Sequence, residues 1–356
     1  MKSFMCRLLS LTLVAFLVLG CQKPFEKEAS RSQALLDEAD LLMEVRRFDQ
    51  AEEKALEALE KLNVILVKVP QKVDYRLLRT RAYLTLFMAR NILVIENAKI
   101  RPRSLVRIPE VYEYKDYDST IVPAEEELKE IINTIPDLTL EQQGYAHGML
   151  GVIFRLNADT ANEADQQYQR AIGAYEGWLR EMKRDKPLIG TNQFNINKLE
   201  NQVRGLIMAR AEVSMLAEKW PQALELLEKV MAGQDLKYFE IQFPFYERQI
   251  AEMQRKLDTD ERITVDPRVE RLTRALAKTR KGKWLEKKEE VAALDPYKAQ
   301  LLQFKVELAE TKNNLMYRII CYHRLNQREQ LEEARRILRL NYPELDMEIE
   351  ELLKSK

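Results

Sequence analysis

The chain has 356 residues, with 57 Lys+Arg and 57 Asp+Glu, so its formal net charge is zero and gives no indication of nucleic-acid binding. A hydrophobic fraction of 46% excludes a mainly disordered chain, and 10 Gly are too few for the turns of a many-stranded β-protein. Two His and three Cys leave little material for a zinc site or a Cys/His catalytic pair.

The first twenty residues have the pattern of a secretory signal peptide. Lys2 and Arg7 form a basic start, an apolar run follows, and Gly20 stands immediately before Cys21. The apolar run is shorter than the ~20 residues that a membrane-spanning helix needs. The quartet Val18 to Cys21 resembles the lipobox of bacterial lipoproteins, in which Gly-Cys is the critical pair.

This resemblance implies cleavage before Cys21, a diacylglyceryl thioether on its sulfur and an acylated new N-terminus. Acyl chains such as palmitate anchor a protein stably when more than one is present. Gln22 stands where Asp would retain a lipoprotein in the inner membrane, so the implied location is the outer membrane of a bacterial envelope, facing the periplasm. Residues 21–31 are then the lipidated Cys and a short polar tether. Cys321 remains as the one unmodified Cys, which excludes an intramolecular disulfide.

From Ser32 onward, apolar residues recur at spacings of three and four, which is typical of amphipathic helices. The spacing predicts an all-α fold of about a dozen helices with no significant sheet. Two segments lack it and are predicted to be loops, namely 102–123, which is rich in Tyr, and 186–197, around Gly190. The first is either a surface loop or a segment that docks a partner.

Four segments resemble tetratricopeptide repeats, which are helix-turn-helix units of ~34 residues with small residues where the helices cross. They are 32–65, 144–178, 204–237 and 312–345. In the first, Phe48 lies at the turn and Ala51 and Ala55 lie in the second helix. The resemblance implies an α-solenoid within one helical repeat domain over residues 32–356, although the Ala-rich faces of a generic helical bundle would look similar.

By the same resemblance, the first helix of each pair lines a concave groove that binds peptides or helices of a partner protein. The residues of this chain that map to that surface are Asp40, Met43, Glu44, Val152, Arg155, Glu212, Met215, His323 and Arg324.

The search for catalytic or metal-binding motifs finds no phosphate-binding loop, Cys-x-x-Cys or His-Glu-x-x-His pattern. His147 and His323 lack a second ligand within helical reach, and the apolar surroundings of Cys321 are typical of a buried small side chain. Residues 278–288 contain six basic residues and Trp284, which suit a solvated helix end and linker or a contact with anionic lipid headgroups or an acidic partner. We therefore expect no cofactor, no metal and no catalytic residue.

The sequence thus predicts a membrane-anchored scaffold or adaptor lipoprotein, not an enzyme, which binds other proteins during the assembly of envelope or outer-membrane complexes. Its membrane contact would be the lipid on Cys21, and nucleic acid is not expected as a partner. Two alternatives remain: a helical envelope enzyme that acts on peptidoglycan or glycans through carboxylates, and a solute- or lipid-binding lipoprotein. A closed pocket with two perturbed carboxylates would favour the enzyme.

Overall fold

The computed structural model describes residues 25–40, 42–43, 46–99, 114–185, 191–230, 235–258 and 296–354. Throughout these ranges the regular structure is helical and no strand occurs, so the all-α prediction is confirmed. Several predicted features lie outside the described residues, namely the lipobox with Cys21, residues 102–113, Glu44 and the basic run 278–288.

The chain divides into two compact units, Met1–Leu226 and Leu227–Lys356. In the first unit, residues with spacings of three and four form a core that includes Leu62, Phe87 and Ile131, all almost fully buried. Its helices are α1 (25–40), α2 (Phe48–Lys68), α3 (Val73–Lys99), α4 (Tyr117–Thr134), α5 (Leu140–Phe154), α6 (Ala161–Asp185), α7 (Thr191–Leu216) and α8 (Trp220–Val230), the last of which continues into the second unit.

The second unit is built on aromatic and aliphatic side chains. Phe243, on the helix Lys237–Asp258, is fully buried and packs edge-to-face on Tyr342, with ring centroids 5.1 Å apart. Besides the end of α8, the described helices of this unit are α9 (Lys237–Asp258), α10 (Pro296–Arg324), α11 (Arg328–Asn341) and α12 (Pro343–Lys354). Within this unit, α9 packs on α10, α10 packs on α11, and α11 packs on α12.

Three helix boundaries differ from the sequence-based expectations. Helix α4 begins at Tyr117 and contains Pro123, so 117–123 is not part of a loop; the buried residues Ile121, Ala124 and Leu128 keep helical spacing across the proline. Helix α7 begins at Thr191, so 191–197 is helical too, with Ile196 buried. The segment predicted as a tether, 21–31, is helical from residue 25 onward, and Ala29 on this helix is buried.

The same turn precedes three of the helices, α2, α8 and α11. Arg46, Glu218 and Asn326 have φ angles of 60°, 57° and 55°, in the left-handed region. In each turn the N–H of this residue donates to the carbonyl three residues earlier, and the following N–H donates to the carbonyl five residues before it. These bonds satisfy carbonyl groups at the helix end, and the next helix starts two residues after the left-handed residue. The turns occupy equivalent positions in the predicted units 32–65, 204–237 and 312–345.

Candidate functional site

Within the first unit, α5 and α7 lie side by side and run in parallel. The side chain of Leu206 on α7 lies against Gly148 on α5, where it would be 3.7 Å from an added Cβ. Further along both helices, Arg155 Nη1, at the end of α5, is 2.8 Å from Glu212 Oε2 on α7. Because the second contact follows the first along both helices, with nearly the same separation in sequence, the two helices have the same direction.

Helices α6 and α8 repeat this relationship. Lys219 Nζ, immediately before α8, donates to Asn162 Oδ1 of α6 at 2.7 Å, and Gln222 Nε2 donates to Asp165 Oδ2 at 3.4 Å. Both contacts join residues that are 57 positions apart. The hairpin of α5 and α6 is therefore stacked on the hairpin of α7 and α8, with partners at equal sequence spacing.

Helix α3 packs on α5 and is joined to α1 by ion pairs. Arg81 of α3 donates to the carboxylates of both Asp37 and Asp40 on α1. Burial raises the pKa of Tyr145 on α5 to about 12, against the influence of the Arg81 charge, so Tyr145 lies near this cluster. Contacts thus connect α1 to α3, α3 to α5 and α5 to α7, and we call these four helices the odd-helix row.

The structure brings several of the predicted groove residues to this row. Asp40 is exposed and bound by Arg81. Arg155 and Glu212 bind each other, and both are largely shielded from solvent. Val152 is 38% exposed on α5, which makes it one of the few exposed large hydrophobic side chains among the described residues.

The remaining predicted groove residues are at least half-buried in the first unit, belong to the second unit or lie outside the described residues. Met43 is half-buried against the small cluster of Ala39, Ala51 and Ala89. Met215 is 1% exposed and belongs to the core, so it packs within the unit and is not available to a partner. His323 is half-buried and Arg324 is exposed, and both belong to the second unit. Glu44 lies outside the described residues.

Two residues that contact the odd-helix row are not among the predicted site residues. Arg81 joins α1 to α3, and no feature of the sequence marked it among the many basic residues. Tyr168 of α6 is 1% exposed and lies under the ion pair of Arg155 and Glu212; burial raises its pKa to about 12, while Arg155 acts to lower it. The small residues of α5 on the face toward Tyr168 were the available signal for this close packing.

Two buried carboxylates and one buried thiol lie in the described part of the chain. Of the two buried carboxylates in the described part of the chain, Glu127 is bound by two arginines. Burial acts to raise the pKa of Asp346, but hydrogen bonds from two other arginines lower it below its ordinary value, whereas a general acid needs a raised pKa. Burial raises the pKa of Cys321 to about 12, so its thiol stays protonated.

Two further features are absent from the part of the chain that the structure describes. They contain no group of three or more His, Cys, Asp or Glu side chains that could hold a metal ion. None of the helices they form is both long and apolar enough to cross a membrane. Comparison of the chain with models of protein families, with curated proteins and with solved structures gives no match.

Proposed function

We propose that this protein is a lipid-anchored scaffold of the bacterial envelope, without enzymatic activity, which binds a protein partner on the odd-helix row of its first unit. The observation that supports this proposal is the stacking of one helical hairpin on another, with equal sequence spacing of the contacts between α6 and α8. Stacked hairpins form extended surfaces that bind peptides and helices in solenoid proteins. The solenoid arrangement and the tetratricopeptide character of the repeats are parts of the proposal.

The chemistry of the odd-helix row suits a protein partner. At one end of the row, the side chains of Asp37 and Asp40 are at least half exposed, whereas Arg81, which binds both, is 20% exposed. Val152 adds exposed apolar surface further along. We therefore expect a partner segment that carries basic groups and at least one apolar side chain, since interfaces combine an apolar centre with a polar rim.

Site-specific photo-crosslinking in native membranes tests this proposal. A photoreactive amino acid at Val152 should form an adduct with one partner protein, whereas the same group at the exposed Gln169 on α6 should not. Adducts of equal yield at the two positions would contradict the proposed surface.

Charge reversal provides the second part of the test. The double variant Asp37→Lys with Asp40→Lys should reduce the adduct formed at Val152 by about fivefold or more, which corresponds to loss of ~1 kcal/mol of binding energy. The matched control, Glu53→Lys with Glu57→Lys on the exposed side of α2, should leave it unchanged. Circular dichroism should show that both double variants keep their helical content. An adduct that depends on the α2 residues instead would place the partner elsewhere.

A further inference from the structure

A cleft of about 380 Å³ opens in the first unit between α2, α3 and α4. Leu66, Val67 and Pro70 line it with apolar groups, and Arg76 is one of the charged groups that complete it. Val67 is 83% exposed, the highest value among the exposed large hydrophobic side chains of the described residues. Apolar lining beside charged groups that are largely buried is the combination found in sites that bind small ligands.

The charges in the cleft are balanced by an exposed group. Glu127 is 6% exposed and accepts hydrogen bonds from Arg76 Nε at 3.1 Å, from Arg79 Nε at 2.9 Å and from Arg79 Nη2 at 2.6 Å. Two guanidinium groups thus share one buried carboxylate, which leaves one positive charge to be balanced. Glu130 provides the balancing charge, because its Oε2 lies 2.8 Å from Arg76 Nη2.

Glu130 differs from Glu127 in its contact with solvent. Its side chain is 60% exposed, so it can leave Arg76 and be hydrated at small cost. Arg76, in contrast, is 7% exposed and held in place by Glu127. A carboxylate from another molecule could therefore take the place of Glu130, and the buried cluster would stay neutral.

We propose that this cleft binds the carboxyl terminus of a partner protein whose last residue is apolar. The terminal carboxylate replaces that of Glu130 on Arg76, and the last side chain packs against Val67 and Pro70. Guanidinium groups recognise planar carboxylates with directional, charge-assisted hydrogen bonds. A chain end carries its carboxylate and its last side chain on a single residue, which suits a cleft at the small end of the range for ligand sites.

This inference goes beyond the proposed function, because it concerns Arg76, Val67 and Pro70 of the cleft, which the proposed function does not use, and a different part of a partner. The two ideas are also tested separately. Crosslinking at Val152 does not depend on the cleft, and peptide binding in the cleft does not depend on Asp37 or Asp40.

Fluorescence anisotropy with the purified full-length protein provides the test. The probe is a labelled hexapeptide, Gly-Ser-Gly-Ser-Val-Leu, with a free terminal carboxylate. We expect it to bind about tenfold or more tightly than the same peptide with a terminal amide, because the amide cannot replace a carboxylate on Arg76. Equal binding of the two peptides, or binding of neither, would overturn the proposal. So would equally tight binding of an amidated peptide with an internal Asp, since any acidic segment would then suffice.

A variant that is expected to bind the free-acid peptide more tightly provides a second test. Glu130→Gln removes the competing carboxylate, so the free-acid peptide should bind about threefold or more tightly to this variant, with no change for the amide. The matched control Glu126→Gln, at an exposed position of the same helix, should leave both affinities unchanged. Weaker binding to Glu130→Gln would mean that the peptide does not compete with Glu130, and the proposal would fail.

The apolar lining of the cleft is tested at Val67, which is exposed to solvent. Val67→Glu places a new carboxylate beside the site and should weaken binding of the free-acid peptide about tenfold. Val64→Glu is its control, because Val64 is exposed on the same helix and does not line the cleft. Both variants should keep the parent melting temperature. Equal losses of affinity in the two would contradict the proposal that the last side chain of the peptide packs against Val67.

Discussion

Two glycines of α5 allow tyrosine rings of α6 to lie directly against its backbone. An added Cβ on Gly151 would be 2.5 Å from Cδ1 of Tyr168, and one on Gly144 would be 2.5 Å from Cε1 of Tyr175. Both rings are buried, so neither can move aside without disturbing its neighbours. Gly148, on the same helix, has ordinary contacts, the nearest at 3.7 Å, and could accept a methyl group.

Alanine substitutions should separate these roles. Gly151→Ala and Gly144→Ala should each lower the free energy of unfolding by about 1–3 kcal/mol, because the new methyl group overpacks the helix crossing. Gly148→Ala is the matched control and should raise the free energy of unfolding by up to ~1 kcal/mol, since Ala favours the helix more than Gly. Urea denaturation of the full chain measures all three. Equal effects of the three substitutions would show that the glycines are not close-packing positions.

At the scale of single residues, the sequence predicts burial better than pairing. Gly151 and Tyr168 belong to one predicted repeat unit, and their burial follows from helical periodicity. The ion pairs of the odd-helix row join residues more than 40 positions apart, such as Asp40 with Arg81, and many other charges could have been their partners. Only the packed tertiary structure selects among them, so the sequence alone does not identify Arg81 as the partner of Asp40.

At the scale of secondary-structure elements, the turn at Glu218 shows how two helices are joined. The residue adopts a left-handed backbone conformation, which disfavours residues with a Cβ, and it closes the end of α7 before α8 begins. Glycine is the usual residue at this position of a helix end. The chain therefore bears some backbone strain here that a substitution could remove.

Glu218→Gly should relieve this strain and raise the free energy of unfolding by about 0.5–1 kcal/mol, after allowance for the greater freedom of Gly in the unfolded chain. Asn326→Gly, in the equivalent turn between α10 and α11, is the comparison, and its effect should be near zero because Asn tolerates the left-handed region. Thermal unfolding followed by circular dichroism measures both. A loss of stability in Glu218→Gly would show that the Glu side chain makes a contact worth more than the strain.

The helices themselves were largely predictable, and the exceptions have a physical cause. Ala51, Ala55 and Ala58 keep spacings of three and four, and all three are fully buried in α2. Pro123 and the polar residues 191–197 suggested loops, because local preferences there oppose a helix. Burial of residues on both sides of Pro123, and of Ile196, outweighs those preferences. Such tertiary gains cannot be read from a local window of sequence.

At the scale of the whole molecule, periodicity predicts the faces of helices but not which helices share a core. The predicted helical repeat domain over residues 32–356 spans two compact units, whose boundary lies inside α8, between Leu226 and Leu227. Leu227 is held within the second unit, where its carbonyl accepts hydrogen bonds from Asn314 and Arg318 of α10. A helix that continues across such a boundary has no break in its apolar pattern, so the sequence carries no local signal for it.

The proposed anchor makes a prediction for the complete chain. Cys21→Ala should release the protein from membranes, or leave it as a precursor of higher mass, because acyl chains would supply the stable attachment. Cys6→Ala, within the predicted signal peptide, is the matched control and should leave processing and location unchanged. Membrane fractionation with mass spectrometry of the N-terminus measures both. Normal processing and membrane retention of Cys21→Ala would refute the lipoprotein assignment.

The glycines of α5 also affect the order in which the first unit can form. A helix of 15 residues that contains Gly144, Gly148 and Gly151 has little stability of its own, because short isolated helices are marginal and each Gly weakens them further. The rings that cover its glycines belong to α6, which is synthesised later. We therefore expect α5 to remain unstructured on the nascent chain until α6 follows it, so that the two helices fold together as one hairpin.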